Sequence, residues 1–219
     1  MREVFQQELA EVQERLVAIA ESVHEAITLA QQAFSTSDVA LAERVIEGDQ
    51  HIDAQADELD ELAIDVIARQ GPVARDLRIL VSSLRISASL ERMGDLARHI
   101  ATLARYRFPD AVVPEPLIST FERMGELDIE IARLNVELLK TENLEYHEKI
   151  SELDIELDEL HKSVFDSVLA EEWNEPANAT VDVTLASRYH ERFADHAVTI
   201  GKKIQYLSTG DWAPAEEEA

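Results

Sequence analysis

Glu91-Arg92-Met93-Gly94-Asp95 and Glu191-Arg192-Phe193-Ala194-Asp195 spell one word, acid–base–x–x–acid, twice at a spacing of 100. A helical residue shares its face with the fourth residue on, so each word sets two carboxylates one turn apart. Asp49, Asp53 and Asp57 do the same in series. Like charges at this spacing repel by about a few tenths of a kcal/mol per pair. A cation would relieve that repulsion, and an all-oxygen cluster suits hard or borderline ions such as Mg²⁺, Mn²⁺, Ca²⁺ or iron. The competing reading is a solvated acidic face, with Arg92 and Arg192 as surface ion-pair partners.

Other chemistry is thinly represented. Glu21-x-x-His24 and Asp158-x-x-His161 have the spacing of di-iron carboxylate ligands, but they do not occupy corresponding places. They read as surface histidines. His99 and His196 have acidic neighbours and no second histidine at metal spacing. No phosphate-cradling Gly-rich loop, G-x-S-x-G word or nucleophile with a base is present.

These acids need helices to hold them. Phe5, Leu9, Val12, Leu16, Ile19, Val23, Ala26 and Ala30 step by four and three, a heptad seam for packing on other helices or on a second copy. Ser35 to Asp38 supplies the stop and next cap, and a second helix is expected over 39–69, buried through Leu41, Val45, Ile52, Ala56, Leu59, Ala63 and Val66. After Gln70-Gly71-Pro72 a third helix is expected over 73–106. Its main stripe is Ile86, Leu90, Met93, Ala97, Ile100 and Ala104. A second stripe, Leu77, Leu80, Leu84 and Ala88, continues onto Glu91 and Asp95. Those two acids therefore occupy a half-buried face.

Three prolines within 109–116 forbid a continuing helix. The pattern restarts with helices expected over 117–141, 144–172 and 181–208, broken at Trp173 to Thr180. On the last, Ala186, Phe193, Ala197, Ile200 and Ile204 form the matching stripe. The expectation is an all-α chain of six long helices in two tandem, similar three-helix bundles. These span residues 1–108 and 117–210, with a proline-rich connection at 109–116 and an acidic, disordered tail at 211–219.

The halves also align in detail. Ser87, Glu91, Arg92, Asp95, Ala97 and Ile100 recur at a spacing of 100, and Asp53, Asp57, Glu58, Leu59 and Asp65 recur at 101. Two corresponding blocks in one order, between corresponding breaks, indicate an internal duplication.

Composition bounds the partners. The 219 residues include 45 acidic and 20 basic side chains, a net charge of −25, with 46% hydrophobic residues and few aromatics. That favours a helical protein and argues against nucleic acid or direct docking on anionic lipid, which need basic surfaces. Without cysteine there is no disulfide, thiolate metal site or Cys nucleophile. With no secretory h-region and no apolar run of membrane-spanning length, a soluble intracellular protein is expected.

Val45 to Asp53 (VIEGDQHID), the Pro72-x-x-x-Asp76-Leu77-Arg78 segment and Leu90 to Ile100 (LERMGDLARHI) closely resemble the PhoU family over the whole chain. The resemblance implies a six-helix protein of two similar bundles. Its acidic motifs, which can bind metal clusters in the family, map here to Asp49, Asp53, Glu91 and Asp95, and to Asp154, Asp158, Glu191 and Asp195. Fe, Zn, Mn or Mg are the implied ions. Ile150 stands where the first half has Asp49, Ala194 replaces the usual Gly and Phe193 a smaller residue, so the first-half site is expected to be the tighter. The resemblance further implies a cytoplasmic, homodimeric, non-enzymatic negative regulator of phosphate uptake and Pho-regulon signalling. It would act as an adaptor between the ATPase of a phosphate ABC transporter and a sensor histidine kinase, reaching the membrane only through those partners. The alternatives are a carboxylate-bridged metalloprotein of ferritin-like type and a helical adaptor without metal.

Overall fold

In the computed structural model, which describes residues 2–209, six helices follow the expected order. They are α1 (Arg2–Thr36), α2 (Val39–Gln70), α3 (Ala74–Arg107), α4 (Ile118–Thr141), α5 (Glu145–Leu169) and α6 (Ala177–Thr209), with a 3-10 turn at Glu115–Leu117. The residues after Thr209, including the acidic tail, lie outside the described region.

Local chemistry sets the ends. The Asp38 carboxylate caps α2 by accepting from the Leu41 amide at 3.0 Å. Gly71 closes α2 at φ +55°, a left-handed conformation that a side chain resists, and its N–H donates to the Ile67 carbonyl. The second break lies three to four residues earlier than the sequence pattern suggests. α5 stops at Leu169 rather than near Glu172, and α6 starts at Ala177, a turn before Val181. Pro176 ends the break and suits the start of a helix, and the Trp173 indole N–H donates to the Thr180 hydroxyl at 2.8 Å across it.

Each half folds its three helices on one another, but the halves are not separate bodies. α1 packs on α4 and α3 on α6, and one apolar core runs through both halves. α1/α4 and α3/α6 thus form two stacked layers, with the acidic helices α2 and α5 on the flanks. The heptad seam is used internally: Val12, Leu16, Ile19, Val23 and Ala30 are buried among α2, α3 and α4.

Polar groups lock the halves together. Gln31 on α1 donates to the Phe121 carbonyl on α4 at 3.1 Å, over Gly125, where a Cβ would collide with the Gln31 amide. Arg107 at the end of α3 pairs with Asp182 near the start of α6. Within the second half, His190 Nδ1 on α6 lies 2.6 Å from Asp128 Oδ2 on α4, both residues at 0% exposure, flanked by Phe121 and, from the first half, by Phe34 of α1. Burial pushes the Asp128 carboxyl up to about 6 against the pull of His190. The position 100 before His190 is Leu90, so the first half is apolar at that point.

Removing one partner from such a pair strands a buried charge, whereas replacing both with apolar groups does not. His190→Ala should cost about 3–5 kcal/mol in urea denaturation, while the double change Asp128→Val with His190→Leu should stay within about 1 kcal/mol of the parent or exceed it. Equal losses in the two variants would mean that the pair supplies net stability of its own.

Candidate functional site

The acids of α2 and α3 meet along a shared, outward cleft. α2 and α3 run antiparallel and approach closely at Gly94, where a Cβ would sit 3.1 Å from Ile52 Cδ1. That approach brings Asp49 against the α3 acids. A cleft of about 330 Å³ is lined by Asp53, Asp57, Asp60, Ser87, Ala88 and Glu91. Asp49 is buried, Asp53, Glu91 and Asp95 are half-buried and Asp57 is exposed. The second α3 stripe therefore does pass from apolar residues onto half-buried acids.

An arginine occupies the centre of the first-half cluster. Arg98 Nε lies 2.5 Å from Asp49 Oδ2, an ion pair rather than a well-aligned hydrogen bond, and Arg98 Nη2 donates to Asp95 Oδ1 at 2.6 Å. Arg92 Nη1 donates to the other Asp95 oxygen at 2.7 Å. Burial pushes Asp95 up, but Arg98 and Arg92 outweigh it and hold its carboxyl below the ordinary range. Asp49 and Glu91 go the other way. Burial raises both, neighbouring carboxylates add to it, and the arginines only partly oppose it.

The second-half cluster lacks that clamp. Val198 stands 100 after Arg98. Burial lifts the Asp154 carboxyl to about 7, reinforced by the charges of Asp158, Asp195 and Glu191 and weakly opposed by Lys202. Glu191 is also raised, by burial and then by Asp195, although Arg188 pairs with its Oε1; its Oε2 is buried without a partner. Asp195 is exposed and Asp158 half-buried.

Both clusters hold the sequence-predicted residues on neighbouring helices. Among the described residues, however, no three acids or histidines converge closely enough to grip an ion as they stand. The donor chemistry suits a hard cation in both halves. In the first, Arg98 already takes the place between Asp49 and Asp95. In the second, mutual repulsion and the orphaned Glu191 oxygen leave room for one.

The duplication is visible in side-chain contacts. Ser87 faces Asp60 across the first cleft, its hydroxyl offsetting part of the burial that raises Asp60. In the second half Ser187 is 3.0 Å from His161 Nδ1, the position 101 after Asp60. His161 is thus engaged in the α5/α6 cleft, whereas Glu21 pairs with Lys140 of α4 at 2.8 Å. The two x-x-His words face different parts of the molecule and do not assemble a di-iron set. His99 stacks on Tyr189 at 5.1 Å, at the α3/α6 contact.

Three features lay outside the sequence reading. Arg98 sits within the quoted LARHI stretch, and a basic residue three after Asp95 was a usable signal. Asp128 falls on the α4 stripe Phe121, Met124, Ile131, Leu138, and His190 on the α6 stripe, so a charge in an apolar series marked that pair. Nothing local marked the Arg107–Asp182 bridge.

The chain matches the model of the PhoU domain family twice, over residues 16–104 and 121–204. It is 37% identical over 210 residues to the phosphate-specific transport system accessory protein PhoU homolog 2 of Mycobacterium tuberculosis, covering 96% of this chain and 99% of the relative. It is 36% identical over 212 residues to PhoU homolog 1 of Mycobacterium leprae, covering 97% and 96%. The crystal structure of PhoU from Pseudomonas aeruginosa superposes with a TM-score of 0.88 at 24% identity, over 94% of this chain and 100% of that one. The phosphate transport system regulatory protein PhoU from Streptococcus pneumoniae gives 0.85 at 22% identity, over 95% and 99%; both likenesses show the fold.

In chelator, Asp154 should be a liability. Its folded carboxyl titrates at about 7 and its reference value is 3.8, so the folded chain holds an extra proton between those values. Metal-free protein therefore loses stability as pH rises through that window. Fully desolvated, the effect would be worth about 4 kcal/mol; partial exposure and salt reduce it to about 1–2 kcal/mol. Asp154→Asn should raise the denaturation midpoint at pH 8 and leave it nearly unchanged at pH 4. A midpoint lowered at pH 8 would mean the carboxylate is satisfied by a partner.

Proposed function

The chain belongs to the PhoU family, and from that premise we propose that it is an accessory and regulatory protein of phosphate-specific transport, not an enzyme. The observation that carries this is the end-to-end match to the mycobacterial accessory proteins, 37% identical over 99% of the relative's length.

The finer reading is an adaptor. Its acidic flanks α2 and α5 dock on basic surfaces of the transporter's ATPase subunit and of a sensor histidine kinase, and it restrains both when phosphate is plentiful. The absence of cysteine suits the cytoplasm, where those surfaces lie. No helix among the described residues is long and apolar enough to cross a membrane, in keeping with contact through protein partners. A homodimer would use a surface other than the α1 seam, since α2, α3 and α4 cover that seam. Deleting the gene is expected to leave phosphate-responsive transcription switched on in high phosphate. Normal repression in the deletion strain, with the transporter intact, would defeat the adaptor reading.

Cations belong to the same reading. Asp154, Asp158, Glu191 and Asp195 would hold a hard dication or iron, which neutralises charge at the α5 face and changes the potential a partner meets. The first-half set, Asp49, Asp53, Glu91 and Asp95, would bind more weakly because Arg98 competes; this reverses the order expected from ligand count. Metal content of untagged protein prepared without chelator should fall by at least half in a variant carrying Asp154→Asn and Glu191→Gln. It should change less with Asp49→Asn and Asp95→Asn. The opposite ranking would restore the first half as the principal site.

A further inference from the structure

Single exposed apolar side chains are ordinary on any surface. Here, however, the same two positions are exposed in both copies of the repeat. Ile64 on α2 is 58% exposed, and its counterpart 101 residues on, Phe165 of α5, is 39% exposed. Val81 on α3 is 37% exposed, and its counterpart 100 residues on, Val181 of α6, is 55% exposed. Burial explains none of these four, yet each copy keeps an apolar residue at both places.

Their placement is also alike. Ile64 lies two turns beyond Asp57 on α2, and Val81 lies two turns before Ala88 on α3; Asp57 and Ala88 both line the acidic cleft. The pair therefore forms an apolar lip where the α2/α3 cleft nears its turn. Phe165 lies two turns beyond Asp158 on α5, and Val181 two turns before Arg188 on α6, with Leu185 at 41% exposure beside it. The α5/α6 contact repeats these acidic and apolar positions, and the α2/α3 cleft thus has an acidic floor and an apolar end. From Asp53 to Ile64 it runs about 16 Å, the length of three helical turns.

The two clefts share a side of the molecule. Arg107 pairs with Asp182, His99 stacks on Tyr189, and Arg92 lies close enough to His196 to act on its charge. As the α3 number falls the α6 number rises, so the helices are antiparallel neighbours. Exchanging two adjacent antiparallel helices requires an approximate two-fold axis normal to the layer they form. Rotation about that axis carries one cleft onto the other without turning it to the opposite face.

We propose that the α2/α3 and α5/α6 clefts are quasi-equivalent docking sites for a cationic amphipathic helix, presented twice by a partner of two-fold symmetry. The carboxylates select Lys and Arg on the incoming helix, and the lips select its apolar residues. Two sites on one face let a symmetric partner bind bivalently, so the second contact forms at high effective concentration. This rests on the adaptor reading, for which it names the partner's chemistry and symmetry.

The test uses the full chain in chelator and a 14-residue amphipathic Leu/Lys helix, alone and as two copies joined by a flexible Gly/Ser linker. A scrambled peptide of the same composition is the control. Calorimetry should find two monovalent peptides per chain, with the scrambled peptide at least tenfold weaker. The linked pair should bind about 100-fold tighter than the single helix, within the usual range for bivalency. Ile64→Ala with Val81→Ala, or Phe165→Ala with Val181→Ala, should remove one site each and return the linked pair to single-helix affinity. All four positions are exposed, so both variants should keep the parent's helical circular dichroism. Equal binding of the scrambled peptide, or lip variants that bind as the parent does, would overturn the clefts and leave the deletion phenotype untouched. A linked pair only twofold tighter than the single helix would overturn the two-fold partner. Lost repression on deletion can be observed whatever the peptides do, so the two readings fail separately.

Discussion

The contact between α3 and α6 is the constraint on which the rest depends. Each helix spends one apolar stripe on the common core, Ile86, Leu90, Met93, Ala97 and Ile100 on α3, and Ala186, Phe193, Ala197, Ile200 and Ile204 on α6. Burying both stripes against α1 and α4 leaves each helix one lateral face for its own acidic partner, α2 or α5. The carboxylates of Glu91 and Glu191 are held at that boundary, half out of water, because their helices cannot rotate without exposing the stripes. Helix packing thus does the electrostatic work: it creates raised carboxyls by holding acids where solvent is thin.

From that common frame the two halves diverged in how they settle their charge. The first half keeps its core apolar at Leu90 and supplies Arg98 to its acids. The second half carries Asp128 and His190 in the core and has Val198 where an arginine would help. One copy is neutralised from within, while the other holds Asp154, Asp158, Glu191 and Asp195 against one another with little compensation. A chain selected for stability alone would gain by replacing those acids.

Much of this architecture was legible in the sequence because it is written in short-range terms. Helix periodicity, the capping Asp38, the Gly71 turn and the proline-rich connection each act within a few residues, and the elements they predict are present. The α5–α6 break falls three to four residues before the polar stretch that marks it in the sequence, because Pro176 allows α6 to start at Ala177 and the Trp173–Thr180 contact braces that start. The acids of the site were legible as to face, but not as to charge balance. Whether Asp49 meets a cation depends on Arg98 reaching across from α3, and the register of two helices is not a local property. The Asp128–His190 pair spans 62 residues of sequence, and each partner alone reads as an interruption of an apolar stripe.

The net charge of −25 can be understood from the same geometry. Acids scattered evenly would raise solubility and do little else. Here α2 and α5, the helices with most of their surface in water, take the dense acidic series, while α3, which carries several arginines, packs beside α6 in its layer. The field is therefore concentrated on two flanks related by the internal two-fold, each beside an exposed apolar end. Charge of that kind gives reach and orientation to an encounter, and the apolar ends give it a contact to close on. Neutralising one flank with a cation would weaken the first effect and leave the second in place.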